Sequence, residues 1–246
     1  MLTLLAASLL LQSASAPAQS GADKLEAALK KFGDRSYLIL ANGEKVGTVT
    51  LKTRIEKGEN GNLAVFEDRI TQAMQGREAT LTMTEKASTA RLRLHSSKKT
   101  VKEGDKEDTW SIHVTGATAL MKVEGREQTV EITDTTIGEE GVMRLVCAAD
   151  QKEGSSFKVD VLSMIAERLE TGHEFKCLGK EQIEINGKKH DAFKWEQKGE
   201  WKFTRKIGDR EVPGTSRVNH TYWVSPDGYL LRVSYGRGME VVLDAK

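Results

Sequence analysis

The stretch Tyr222–Leu243, YWVSPDGYLLRVSYGRGMEVVL, decides the fold. Ser225-Pro226-Asp227-Gly228 suits a type I β-turn, with proline at its second position and glycine at its fourth. Beyond the turn Tyr229, Leu231, Val233 and Tyr235 fall on one parity, and Leu230, Arg232 and Ser234 on the other. A second turn at Gly236-Arg237-Gly238 leads into Met239, Val241 and Leu243. Alternation with a period of two, broken by turns, is the mark of antiparallel strands with one apolar face. The stretch therefore reads as three closing strands of a sheet rather than as an aromatic site. Trp223 is the exception, because it stands with Thr221 and Ser225 on the parity opposite Tyr222 and Val224.

The same pattern runs upstream. Asn42-Gly43 and Asn186-Gly187 are hairpin signals, since both residue types accept positive φ. Further turns are expected at Gly58–Asn62, Gly76 and Gly125. Trp110, Ile112 and Val114 share one face of a strand. Phe175, Cys177, Ile183 and Ile185 share another parity, as do Phe193 with Trp195, and Trp201 with Phe203 and Ile207. Two charged stretches, SSKKTVKEGDKED (96–108) and KIGDREVPGTS (206–216), are expected to be loops.

Two segments carry a helical period instead. Leu25, Ala28, Leu29 and Phe32 form one apolar stripe, with Asp23 placed to cap its start and Gly33 to end it. Val142, Leu145, Val146 and Ala149 form a second stripe, with Asp134 or Thr136 as its cap and Glu139 and Glu140 near its positive end. These readings predict a mainly β protein: a curved antiparallel sheet wrapped on one or two short helices.

The amino terminus predicts export. Leu2–Leu11 is an apolar run too short to span a bilayer, and Ala16 and Ala18 have the spacing of an A-x-A cleavage site. No Lys or Arg precedes the run, which departs from the usual leader. Residues 1–18 are expected to be a signal peptide, and 19–246 one β-rich domain in the periplasm or medium. The 246-residue chain has a net charge of +1, so no basic surplus points to nucleic acid. No later stretch is apolar enough to span a membrane as a helix. An outer-membrane barrel would need an outward apolar band with aromatic girdles, and the few aromatics here fall on the inward parity.

Cys147 and Cys177 could form a disulfide in an oxidising compartment, closing a loop of about 30 residues worth on the order of 3–4 kcal/mol. They could equally be two buried thiols.

Chemical motifs are sparse. His95, His113, His173, His190 and His220 show no zinc-pair spacing and are expected to be solvated. There is no G-x-S-x-G elbow and no phosphate-binding loop. No catalytic residue, metal or cofactor is expected. Trp195, Trp201, Trp223 and Tyr222 are the candidate ligand-binding residues, with packing as the alternative role of each.

The motifs Gly43-Glu44-Lys45-Val46-Gly47 and Tyr222 to Arg232, YWVSPDGYLLR, carry a resemblance. In their order along the chain they resemble exported bacterial β-rich proteins, similar in outline to the half-barrels of the lipoprotein-localisation carriers. The resemblance implies a concave sheet that holds a lipid or other apolar ligand, and no catalysis. Two other functions remain open. One is a cell-envelope interaction module acting through strand edges or Trp223. The other is a hydrolase, which would show a close pair of buried carboxylates, or His173 beside an acid in a cleft.

Overall fold

The computed structural model describes residues 17–74, 77–207 and 210–244. All but the last two residues of the expected leader lie outside these, as does the turn expected at Gly76. Fifteen strands form one sheet, nearly all antiparallel. In chain order, α1 (Pro17–Phe32) precedes the strand run β1 (Arg35–Ala41), β2 (Glu44–Gly58), β3 (Gly61–Met74) and β4 (Arg77–Ser88). Then come β5 (Leu94–Glu103), β6 (Lys106–Thr115), β7 (Thr118–Val123), β8 (Arg126–Glu131) and the short β9 (Thr136–Gly138). α2 (Glu139–Ala148) follows, then β10 (Ser156–Ser163), β11 (Arg168–Ile185), β12 (Lys188–Ile207), β13 (Arg210–Val224), β14 (Leu230–Gly236) and β15 (Met239–Leu243).

The closing stretch turns and pairs as its pattern predicts. The Gly228 amide donates to the Ser225 carbonyl at 2.9 Å, and β13, β14 and β15 pair in succession. β15 then pairs with β1, so the last strand joins the first and the sheet runs unbroken from β8 to β9. At Asn42-Gly43 and Asn186-Gly187 all four residues have positive φ, as tight hairpins require. Gly47 is needed for a different reason: a Cβ there would sit 2.5 Å from the Thr71 carbonyl oxygen of β3.

The sheet curls until its two ends meet through side chains. Leu162, Met164 and Ile132 pack on Leu94, Ile112, Ala119, Met121 and Val123. Arg126 reaches Glu167 at 2.8 Å, and the Gln128 side-chain amide donates to the Glu167 carbonyl at 2.7 Å. Both helices serve the concave face. Leu29 and Phe32 of α1 and Val142, Val146 and Cys147 of α2 are buried in one cluster with Tyr37, Phe66, Phe175, Trp195 and Tyr222. Burying a large apolar side chain contributes about 1.5–3 kcal/mol, so these side chains hold the helices inside the curve.

Several expectations are corrected. Residues 96–108 are the paired strands β5 and β6, and Lys99 is only 3% exposed. Its ammonium lies 5.5 Å from the Trp110 ring and 4.0 Å from Glu139, which lets a charged residue face inward. Residues 206–216 lie largely in the β12–β13 hairpin rather than in a loop. α1 begins six residues before Asp23, which is therefore no cap, while Gly33 does end it at φ +57°. Neither Asp134 nor Thr136 caps α2, whose N-cap is Gly138.

Two irregularities invert the expected parity. A bulge between Cys177 and Gly179 leaves Phe175 and Cys177 inside but turns Ile183 and Ile185 to a separate outer cluster. A second register shift, between Trp223 and Val224, does the same in the closing stretch. Leu230 and Val233 are in the main core, whereas Tyr229 and Leu231 join the outer cluster.

Candidate functional site

β10 to β14 line the concave face with a run of aromatic side chains. Phe157 stacks on Phe175 with centroids 4.7 Å apart, and Phe157 meets Trp195 at 5.7 Å. Phe175 meets Tyr222 at 6.2 Å. Next along the face His220 contacts Tyr222 at 6.5 Å and Tyr235 edge-on at 4.8 Å. On the adjoining strands Trp201 tilts over His173 at 4.6 Å. Strand pairing explains the assembly, because Cys177, Trp195 and Tyr222 are direct cross-strand partners, as are Gln197 and His220.

The wall changes character along its length. Trp195 is 0% exposed, and its indole N–H donates to Gln151 Oε1 at 2.9 Å just past α2. Tyr235, at the other end, is 40% exposed as a residue, while the pKa of its hydroxyl is held up by burial and by Glu140 and Asp68 nearby. Between them sits a polar knot. Gln197 is buried, and its Oε1 accepts from the Tyr222 hydroxyl and from His220 Nδ1, the latter at 3.2 Å. Its Nε2 lies 2.7 Å from His173 Nδ1.

The tyrosine sets the protons in this knot. A buried Tyr222 hydroxyl must donate, and Gln197 Oε1 is its acceptor. That orients the amide, so Gln197 Nε2 donates to His173 Nδ1 and His220 donates from Nδ1. His173 is left as the Nε2–H tautomer and His220 with an unprotonated Nε2. Burial, with His173 nearby, pushes the His220 pKa down to about 4, which keeps this ring neutral. His173 is 2% exposed, and its Nε2 has no hydrogen-bond partner. The nearest carboxylate oxygen, Glu170 Oε2, is 3.6 Å away, beyond hydrogen-bond length. Glu170 is itself held by Arg168 at 3.2 Å.

A second polar group lies deeper, under the helices. Arg144 of α2 makes a two-pronged pair with Asp68, one contact being 2.7 Å, and both side chains are fully buried. Its other donors reach the Glu140 and Lys52 carbonyls and Thr53 Oγ1. The rings of Phe32 and Phe66 lie 5.0 and 4.9 Å from its guanidinium carbon. Glu85 of β4 accepts from the Glu140 and Gly141 amides at 3.2 and 3.1 Å, and so caps α2 from across the sheet. A Cβ at Gly138 would strike this carboxyl, which explains a glycine at the N-cap. Burial pushes the Glu85 pKa up to about 8. Burial and the neighbouring Asp68 push Glu140 well above the carboxylate range.

Both structural marks set out for a hydrolase are thus present in form. The buried carboxyls lie around Arg144, whose guanidinium is flanked by the Phe32 and Phe66 rings. In the rim pair, Glu170 Oε2 lies 3.6 Å from His173 Nε2 while Gln197 occupies Nδ1. Among the described residues no group of three or more His, Cys, Asp or Glu is placed to hold a metal ion.

Of the four predicted ligand residues, Trp195, Trp201 and Tyr222 come together on the concave face, Trp195 as packing and the other two beside the polar knot. Trp223 is on the outer face, where its indole N–H meets Glu181 and its ring lies under Arg232 at 5.0 Å and Lys194 at 5.7 Å. Cys147 and Cys177 are buried and unbonded, and burial raises the Cys147 thiol to about 12. His173, expected to be solvated and named only as a hydrolase candidate beside an acid, is buried with Glu170 at 3.6 Å, and His220 is largely buried too, while Gln197 and Glu170 were not singled out from the sequence. The parity of His173 with Phe175 and Cys177 is the signal that could have shown its burial.

No family model matches the chain, and no curated protein matches it. Among solved structures it is similar to a β-barrel-like protein of domain of unknown function DUF1849 from Brucella abortus. That likeness has 11% identity and a TM-score of 0.50, and covers 85% of this chain and 94% of the other. LprF from Mycobacterium bovis aligns over 94% of each chain at 13% identity, with a TM-score of only 0.22, and supports no comparison. No helix among the described residues is long and apolar enough to cross a membrane. What the chain shares with the Brucella protein is a fold: a large curved sheet that approaches a barrel.

Proposed function

We propose that this chain is an exported, non-catalytic binding protein, one β-rich domain over residues 19–246, that takes an apolar ligand along the aromatic rim of its concave face. The observation that carries this reading is the gradient along one wall, from the sealed Trp195 to the 40% exposed Tyr235. Aromatic side chains that pass from core to solvent on a concave surface offer apolar area without needing the core to unfold. The helices fill the deep end, so the ligand meets Trp201, His220, Tyr222 and Tyr235. The apolar leader at Leu2–Leu11 supports export. Trp223, already engaged by Glu181 and two cations, offers little free surface to a partner protein.

Native mass spectrometry of protein from its own host, with titration of dodecyl compounds followed by tryptophan emission, tests the reading. Saturable one-to-one binding that weakens in Trp201→Ala is expected. Ligand-free protein that fails to bind any dodecyl compound would overturn it.

A further inference from the structure

Resting on the reading above, we infer that the rim selects an apolar ligand with an uncharged hydroxyl head, as in a long-chain alcohol or an acylglycerol, which binds between His173 and Glu170. His173 offers an N–H with no partner, inside a wall where it is almost fully buried. A buried donor left unpaired is costly, so a group that accepts from it gains an advantage. Glu170 Oε2, an acceptor, is 3.6 Å from that nitrogen. This gap is too long for a direct bond, but one oxygen beside it reaches both atoms at ordinary length. Such an oxygen must accept from His173 and donate to Glu170, and a hydroxyl does both.

The same geometry disfavours other heads. A carboxylate or phosphate could accept from His173 but would meet the Glu170 carboxylate. Arg168, a cation at that carboxylate, is already directed to Glu170. The neutral, unprotonated Nε2 of His220 gives an anion nothing to pair with. An ether or ester can accept but cannot donate, so Glu170 would lose solvent without gaining a bond. The Gln197 amide sets the discrimination at a distance, because it holds His173 in the donating tautomer.

Three ligands of one chain length separate the outcomes: dodecanol, dodecyl methyl ether and dodecanoate at neutral pH. Dodecanol is expected to bind at least tenfold more tightly than either of the others. In Glu170→Leu that preference falls to threefold or less, because the ether no longer leaves the Glu170 carboxylate without a bond. Since Glu170→Leu could disturb the fold, the histidine is also read directly. In a ¹⁵N-labelled sample His173 carries its proton on Nε2 and His220 on Nδ1, and dodecanol shifts the His173 Nε2 signal while the ether does not. Equal binding of alcohol and ether would overturn the hydroxyl assignment and leave apolar binding standing. Tighter binding of dodecanoate would overturn it too. Binding of none of the three would instead remove the proposed function itself.

Discussion

Asp68, Glu85, Glu140 and Arg144 bring four ionisable side chains into the centre of the curve, while His173, Gln197, His220 and Tyr222 bring four polar ones towards its rim. In the centre every Arg144 donor has an acceptor, burial favours the protonated forms of Glu85 and Glu140, and two phenylalanine rings flank the guanidinium. At the rim the hydrogen bonds stop one atom short, at His173 Nε2, and the aromatic neighbours grow more exposed. A buried charge network that is complete holds structure, and one missing partner there is costly. A polar knot left incomplete beside solvent is where a ligand can add what is missing.

The comparison breaks most easily at its centre. Arg144→Met leaves Asp68 buried without its partner, which costs about 3–5 kcal/mol. For a domain of ~220 residues that is a fall in Tm of roughly 10 °C or more by calorimetry. Tyr235→Ala at the rim is expected to cost less than half as much.

Next in size is the effect of pH. Glu85 titrates at about 8 in the folded chain against 4.5 for the free side chain, and Glu140 is raised as well. The folded state therefore holds protons that the unfolded state releases. Stability from this source is full below about 4.5 and is lost as pH rises through about 8. Urea unfolding at a series of pH values should show that decline, and Glu140→Gln should flatten it. A stability that rises over the same interval would contradict the protonation assigned to these acids.

At the rim, Tyr235→Ala and Trp201→Ala should each weaken dodecyl binding by about tenfold, in line with roughly 1–2 kcal/mol for a lost aromatic contact. Fluorescence or calorimetric titration measures this, and Tyr235→Ala should change Tm by no more than a few degrees. The smallest effect belongs to Trp223→Ala on the outer face. It should cost about 1 kcal/mol of stability and leave binding unchanged, so a loss of binding there would move the site to the other side of the sheet.

Much of this fold was legible because its turns are chemically explicit. Asn42-Gly43, Asn186-Gly187 and Ser225–Gly228 mark hairpins by what their backbones must do. Local alternation then places Trp195 and Tyr222 inward without further information. The failures share one cause, which is that a side chain's face depends on partners distant in sequence. Nothing near Lys99 predicts Trp110 and Glu139 around it. The bulge before Gly179 inverts Ile183 and Ile185, although the alternation on each side of it is regular. Glu85 caps a helix more than fifty residues ahead of it, which no local capping rule can find. The site suffers most from this, since Gln197 gains its meaning only when β11, β12 and β13 lie side by side.

Hydrogen–deuterium exchange with and without dodecanol tests the division between centre and rim most directly. Protection is predicted in residues 168–175, 195–201, 216–222 and 232–236, with the amides of α2 over 139–148 unchanged. Protection confined to α2, or none at the rim under saturating ligand, would contradict it.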